Sequence, residues 1–228
     1  IGQPSVSNEQ DATQVKSCMS NAKMFKHDSP SLRIWHQHDM AQHIGSGRRI
    51  GFPIFELDKF SDLEKHHLSS LQNIIVCSEW AKSVISSEIP SMKHKIGVAP
   101  LGVDRSIFYP RDTEQNQKTI FLNIGKWEIR KGHDVLIEAF NEAFCDKDEV
   151  ELWMMNDNPF LTEEQQAEWH SLYLNSNLGH KVKILPRVKS HEEVAEIMSK
   201  CDVGVFPSRA EGYGLPIKYK LTSSIASE

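Results

Sequence analysis

The sequence has few of the features that mark membrane, secreted or nucleic-acid-binding proteins. Its four cysteines, in 228 residues, are too scattered to form a metal site, so we expect free thiols in a reducing compartment. No apolar run approaches the roughly 20 residues that a membrane span needs, and no signal peptide is visible. The formal net charge of -5 gives no electrostatic case for binding nucleic acid. We expect a cytoplasmic protein, with attachment to a membrane surface left open.

Glycine is also sparse, with 12 residues in all, yet two of them flank Tyr213 in one stretch near the end of the chain. Residues 203–206 form an apolar run that predicts a buried parallel strand. Glu211 and the two glycines follow, and a proline in the sequence Leu215-Pro216 predicts the first turn of a helix. Ligands of open α/β sheets bind outside the carboxyl ends of strands, and backbone N–H groups at such a turn favour anions. A carboxylate in this place suits a ligand with hydroxyl groups, such as a sugar.

A second stretch repeats the order of strand, loop and helix. Residues 119–124 predict a buried strand and residues 134–144 an amphipathic helix. Between them, Gly125 allows a phosphate to approach the backbone, and three cations offer it charge: Lys126, Arg130 and Lys131. The spacing is not G-x-G-x-x-G, so a nicotinamide site is disfavoured. The alternative interpretation is a merely basic turn.

The order of the elements predicts an α/β fold with two domains. A βαβαβ order over residues 119–217 is typical of a doubly wound parallel sheet. Residues 111–118 are polar and include no apolar side chain that could pack into a core, which is typical of a domain boundary. We therefore predict domains 1–110 and 111–228. Further strands are expected at 32–35 (buried), 50–55, 74–77, 95–100, 149–155 and 182–185. Further helices are expected at 11–25, 62–71, 163–174 and 191–198, and another starts after Ser78, which is a favourable N-cap. Leu63 and Val135 are expected on the inner sides of the helices at 62–71 and 134–144.

The segment SRAEGYGLPI resembles the donor-site loop of the retaining glycosyltransferases of GT-B fold, the family 4 group. The sequence Leu101-Gly102-Val103-Asp104, with Phe108 and Pro110, is similar to the passage that joins the two domains of that family. The resemblance covers roughly residues 31–217. It implies a GT-B fold of two Rossmann-like, doubly wound parallel-sheet domains. Because such enzymes are usually much longer, we expect both domains to be incomplete, with the chain cut at both ends.

The resemblance also implies an activity. The family transfers a sugar from a nucleotide-sugar, here a UDP-, GDP- or ADP-sugar, to an acceptor with retention at the anomeric carbon. The acceptor, a glycan, lipid or protein, stays unknown. No metal and no other cofactor is expected. The sequence Asp146-Lys147-Asp148 has the D-x-D spelling of metal-dependent glycosyltransferases, but it precedes a strand and is interpreted as a turn.

Donor-site roles follow from the same resemblance. Lys126 and Lys131 would clamp the diphosphate, with Arg130 as a close second, and Glu211 would hold hydroxyls of the donor sugar. Backbone at Arg187 and Val188 would contact the base. The remaining donor-site candidates are loop residues: Gly125, Gly212, Tyr213, Gly214 and Leu215.

The first domain offers a histidine and two acceptor-side candidates. The sequence His36-Gln37-His38-Asp39 follows a strand and could be a polar loop, part of a zinc site that lacks further ligands, or an active-site loop. The resemblance implies a histidine that faces the donor sugar; we prefer His38, because His36 is expected to point inward. Glu56 is a candidate acceptor contact or a surface carboxylate. Arg49 could touch an anion or belong to a solvated turn.

The sequence departs from the family pattern at one position. A second glutamate, eight residues after the first, usually binds the donor ribose, but Tyr219 stands there, between Lys218 and Lys220. This departure favours a rival interpretation, a non-catalytic remnant that binds a nucleotide or sugar or serves as a scaffold. A third possibility, an epimerase of nucleotide-sugars, would need further acidic residues and histidines in the cleft.

Overall fold

The computed structural model describes residue 6, residues 9–111 and residues 117–224. The chain forms two compact units, Ile1–Pro100 and Leu101–Glu228. Each unit is built on a four-stranded sheet in which all neighbouring strands are parallel. Such sheets are stabilised by helices, which connect successive strands.

The strands of the first unit follow one another across the sheet in chain order. Its main core cluster lies under α2 and α3 and includes Met40, Leu68, Ile74 and Ile85. The elements are α1 (Glu9–Ser20), β1 (Ser31–His36), β2 (Arg49–Ile54), α2 (Asp62–Ser69), β3 (Asn73–Val76), α3 (Glu79–Glu88) and β4 (Ile96–Val98). Short 3-10 helices cover Asn21–Met24, Gln37–Asp39 and Pro90–Lys95.

Side-chain caps begin the two packed helices of this unit. Ser61 and Glu64 form a reciprocal capping box at the start of α2. The Ser78 hydroxyl accepts a hydrogen bond from the Ala81 N–H at 3.1 Å, which confirms the predicted cap of α3.

Two burial expectations in the first unit are wrong. The strand expected at residues 32–35 forms, but Leu32 and Ile34 are 56% and 59% exposed, because β1 is an edge strand of the sheet. Leu63, expected on the inner side of α2, is also exposed. The helix expected at residues 11–25 ends at Ser20 and contains no buried residue.

The second unit has the strand order β7-β6-β5-β8. Helices α4 and α5 cover one core cluster and α6 covers another, so the predicted doubly wound parallel sheet is confirmed. The elements are β5 (Thr119–Ile124), α4 (His133–Ala143), β6 (Val150–Met155), α5 (Glu163–Leu174), β7 (Val182–Ile184), α6 (His191–Ser199), β8 (Val203–Gly204) and α7 (Leu215–Ser224).

Details of the second unit differ from the expectation. Strand β8 is shorter than residues 203–206, and Val203 is exposed because β8 pairs only with β5 among the described strands. The buried face of α4 is formed by His133, Leu136, Ile137 and Phe140, whereas Val135, expected there, is exposed. The predicted turn at residues 146–148 is present: the Asp148 carboxylate accepts the Cys145 N–H at 2.7 Å.

Residues 101–110, which we expected with the first domain, make their contacts in the second unit. Phe108 is 1% exposed and belongs to the core cluster beside α6. Its ring stacks on Tyr219, with centroids 4.1 Å apart and planes 9° apart. The compact units therefore divide after Pro100.

Two features that the composition predicts also appear in the structure. All four cysteines are free: Cys18 and Cys145 are exposed, and Cys77 and Cys201 are buried. Within the described ranges, no helix has both the length and the apolar character needed to cross a membrane.

The burial of Phe108 in the second unit leads to a stability prediction. We expect Phe108→Ala to lower the free energy of unfolding of the second unit by about 3–5 kcal/mol, because it removes a buried ring and leaves a cavity. Hydrogen exchange on the whole chain should show lost protection in β5 and β6 and unchanged protection in β3. Tyr109→Ala, which truncates an exposed neighbouring ring, is the matched control. Equal loss of protection in β3 would contradict this placement.

Candidate functional site

The strand order of the second unit reverses at β5, which marks a switch point at the carboxyl edge of the sheet. The chain moves from β5 outward to β6 and β7, then returns to the other side of β5 as β8. The loops after β5 and β8 therefore leave the carboxyl edge on either side of the point where the order reverses. Open α/β sheets bind ligands in this position. Helices α4 and α7 begin at these loops, so their partly positive N-termini lie at the same edge.

The two loops are in direct contact. The Arg209 N–H donates to the Arg130 carbonyl at 2.8 Å, and the Arg130 guanidinium donates to the Ala210 carbonyl at 2.9 Å. Arg209 also binds both carboxylate oxygens of Asp134, at 2.7 and 2.9 Å. Contacts in both directions hold the loops in one arrangement.

Lys131 and Glu211 form the central ion pair of this loop contact. Lys131 Nζ lies 2.6 Å from Glu211 Oε1, and the two side chains are 15% and 26% exposed. The Ser208 hydroxyl donates to the same oxygen at 2.7 Å. The aliphatic part of Lys131 lies over Gly125, where a Cβ would be 3.7 Å from Lys131 Cε. The structure thus pairs Lys131, the side chain predicted to bind the diphosphate, with Glu211, the side chain predicted to bind the sugar.

The other two predicted cations share a second carboxylate. Glu128 Oε2 lies 2.8 Å from Arg130 Nη2, and Glu128 Oε1 lies 3.7 Å from Lys126 Nζ. Lys126 also lies over the Phe160 ring, 4.8 Å from its centroid. Together, the three cations and the two carboxylates Glu128 and Glu211 have a formal net charge of one positive unit.

A buried hydrogen-bond network lies beneath the loop after β5. Asn123 Oδ1 accepts from Asn156 Nδ2 at 2.7 Å and lies 3.0 Å from His133 Nε2. Asn123 Nδ2 donates to the Val205 carbonyl at 2.6 Å. His133 Nδ1 accepts the Glu128 N–H at 3.1 Å, which places the proton of the neutral ring on Nε2. This network links the ends of β5 and β6 to the residue after β8 and to the first residue of α4.

The remaining donor-site candidates lie along the same carboxyl edge. Gly214 adopts a left-handed conformation, with φ +71°, and Leu215 begins α7 as predicted. The Tyr213 hydroxyl donates to the Leu101 carbonyl at 3.0 Å. Arg187 is exposed and Val188 half-buried in the segment after β7. Contact of Arg187 and Val188 with a nucleotide base remains a prediction.

The first-unit candidates lie at both edges of their sheet. His36 ends β1 and His38 lies in the following 3-10 helix, with parallel rings 5.6 Å apart. Both are exposed, so the expectation that His36 points inward, which favoured His38, is wrong. Glu56 follows the carboxyl end of β2, whereas Arg49 begins that strand at the amino edge. Within the first unit, the structure therefore does not bring Arg49 together with His36, His38 and Glu56.

Sequence reasoning missed several residues that build the candidate site: Glu128, the counter-ion; Ser208 and Arg209 in the second loop; and Asn123 and His133 in the buried network. One signal was present. Asn123 is a polar residue next to the last position of a mostly apolar strand, two residues before Gly125. Pairings such as Arg209 with Asp134, 75 residues apart, have no local signature.

Residues 106–218 match the family described as glycosyl transferases group 1. An uncharacterised glycosyltransferase of Methanocaldococcus jannaschii is 26% identical over 151 residues, which are 66% of this chain and 38% of that protein. This chain thus spans little more than a third of the length of the curated relatives it matches.

Solved structures show the fold. Sucrose-phosphate synthase from Thermosynechococcus elongatus superposes with a TM-score of 0.71 at 18% identity, over 92% of this chain and 57% of that one. HepE of Anabaena, solved in complex with UDP-glucose, gives a TM-score of 0.62 at 16% identity, over 77% and 51% of the two chains. The predicted fold class, GT-B with two Rossmann-like parallel-sheet domains, is confirmed.

The close contact between the two loops leads to a prediction about substitution of Gly132. This residue has φ +73°, and an added Cβ would lie 2.1 Å from the Pro207 carbonyl oxygen. We expect Gly132→Ala to lower the free energy of unfolding by about 2 kcal/mol or more, from backbone strain and the clash. Urea unfolding measures the change. Gly102→Ala is the control, since nothing lies within 4 Å of the added atom; equal effects in the two variants would refute the close approach.

The buried histidine predicts a pH dependence. Burial, with a smaller effect of nearby Lys131, lowers the pKa of His133 from 6.5 to about 4. As pH falls, the unfolded chain binds a proton before the folded chain does, so stability is complete above about pH 6.5 and is lost toward pH 4. Between about pH 7.5 and about pH 5 the loss is about 2 kcal/mol.

Urea unfolding of His133→Gln at the two pH values tests this. The variant should lose less stability over the interval than the wild-type chain does, whatever its stability at the higher pH. His180→Gln, at an exposed position of the same unit, should retain the wild-type pH dependence. An unchanged pH dependence in His133→Gln would mean that this imidazole is not the titrating group.

Proposed function

We propose that this chain is part of a glycosyltransferase that transfers a sugar from a nucleotide-sugar to an acceptor, with retention at the anomeric carbon. The observation that carries the proposal is the 2.6 Å contact of Lys131 with Glu211 at the reversal point of the strand order. A cation and a carboxylate side by side suit the two parts of such a donor, an anionic diphosphate and a hydroxylated sugar. The family match supports the reaction class.

The proposed chemistry follows from where charge develops. The bond between the anomeric carbon and the diphosphate oxygen breaks, and its electron pair stays on the diphosphate. Lys131 and Lys126, aided by the N-termini of α4 and α7, stabilise this charge. Glu211 accepts hydrogen bonds from sugar hydroxyls and fixes the sugar for attack by the acceptor oxygen, whose proton passes to the departing diphosphate as the new bond forms. A metal-independent reaction is part of the proposal.

Other assignments complete the proposal. Backbone at Arg187 and Val188 binds the base, and uracil is the first base to test because HepE was solved with UDP-glucose. We assign His38 to the donor sugar and Glu56 to the acceptor. Free thiols at all four cysteines support a cytoplasmic location.

One observation favours a second candidate function. Tyr219, at the position of the expected second glutamate, is stacked on Phe108, and its neighbour Lys220 is buried and donates to the Met198 carbonyl at 2.9 Å. A half-buried ring that packs against the core thus stands where the family has its ribose-binding glutamate. The alternative is a non-catalytic protein that binds a nucleotide or sugar. Turnover of nucleotide-sugars by the whole chain would reject this alternative.

Calorimetric titration with UDP, GDP and ADP tests the proposal. We expect micromolar binding of one nucleotide. Lys131→Ala should weaken it by about tenfold to a hundredfold, because a charge-assisted contact with phosphate contributes about 1.5–3 kcal/mol. Lys147→Ala, in the turn at the opposite edge of the sheet, is the control and should bind as the wild-type chain does. Failure of the wild-type chain to bind any of the three nucleotides would refute the proposal.

A further inference from the structure

We infer that the Lys131–Glu211 pair makes the site discriminate between a nucleotide-sugar and the free nucleoside diphosphate, with Glu211 opposing the free diphosphate. The inference rests on the proposed function and adds a specificity role for the carboxylate. Under it, Glu211 favours the donor substrate and promotes release of the product that remains after sugar transfer.

The first step is that Lys131 already has a partner. Its ammonium lies 2.6 Å from Glu211 Oε1, and it is the more buried side chain of the two. A diphosphate that uses this ammonium must therefore compete with the carboxylate or lie beside it. Either arrangement brings phosphate oxygens and Glu211 close together, since both would contact the same cation.

The second step is that the carboxylate stays near the lysine. The Ser208 hydroxyl donates to Glu211 Oε1 at 2.7 Å, so a contact within the same loop fixes this oxygen independently of the lysine. The other two cations do not offset the negative charge of Glu211, because Lys126 and Arg130 already lie beside Glu128. The charge that the loops offer a phosphate thus depends on Glu211.

The third step compares the two ligands. The terminal phosphate of a free nucleoside diphosphate has a second ionisation near pH 6, so it carries additional negative charge at neutral pH. In a nucleotide-sugar the sugar esterifies this phosphate, which removes that ionisation. The sugar also provides hydroxyls that can donate to Glu211. The same carboxylate therefore repels one ligand and binds the other.

Glu211→Gln separates these effects, because it removes the charge and keeps the size of the side chain. We expect UDP to bind about threefold to tenfold tighter, from relief of a like-charge contact. UDP-glucose should bind about tenfold weaker, since a neutral amide is a poorer acceptor for hydroxyls. A purely structural disturbance would weaken both ligands, so opposite signs identify the charge effect.

Calorimetric titration of the whole chain with the pairs UDP and UDP-glucose, and GDP and GDP-mannose, measures these shifts. The gain for the diphosphate should shrink at higher salt, because screening weakens the repulsion. Glu142→Gln, on the exposed side of α4, is the matched control and should leave both affinities unchanged. Ser208→Ala is a second variant: with the carboxylate less fixed, it should move the ratio of the two affinities in the same direction by a smaller factor.

The outcomes distinguish this inference from the proposed function. If the wild-type chain binds a nucleotide-sugar and Lys131→Ala weakens that binding, the proposed function is supported. If Glu211→Gln then leaves diphosphate affinity unchanged or lower, the discrimination is wrong and the proposed function stands. A wild-type chain that binds neither member of either pair would overturn both.

Discussion

The buried amide of Asn123 fixes the arrangement on which the candidate site depends. It accepts from Asn156, lies within hydrogen-bond distance of His133, and donates to the carbonyl of Val205. One side chain thus joins β5, β6, the start of α4 and the residue after β8. Buried polar groups are costly when their partners are lost, so this network disfavours other positions of the strand ends and of the loops that follow them. The positions of the site loops are therefore determined by the buried hydrogen-bond network beneath them.

The ionic contacts above this network have a different role. Pairs such as Arg209 with Asp134 are partly exposed, and exposed pairs contribute little to stability. Their geometry nevertheless decides which charges a ligand meets. Lys131 is presented together with a carboxylate, so the site offers a cation and an acceptor as one unit, within a loop arrangement that the buried network has already set. Under the proposed function, the backbone of the loops is thus arranged before a ligand binds, and such preorganisation favours electrostatic stabilisation.

The sequence predicted the elements and the site loops well where local patterns determine them. Apolar runs located β5 and β6, and the Ser78 cap and the Leu215-Pro216 start of α7 were correct because capping chemistry is local. Burial was predicted less well: Leu32, Ile34 and Val135 are apolar and exposed, since exposure depends on which strand lies at an edge and how a helix is rotated. The ion pair of Lys131 with Glu211 joins residues 80 apart. No local pattern encodes such a pairing; it follows from the strand order.

The stacking of Tyr219 on Phe108 connects two departures from expectation. Phe108 comes from the segment 101–110, which we expected with the first domain, and Tyr219 stands where the resembling family has a ribose-binding glutamate. A carboxylate at position 219 could not replace the ring in this apolar cluster without a desolvation cost. An aromatic residue there instead adds a stacked contact that attaches the segment before β5 to the second unit. The same side chain therefore stabilises the second unit and replaces one residue that the resembling family uses to bind the donor, so under the proposed function recognition of a nucleotide must depend on the phosphate-side and base-side contacts.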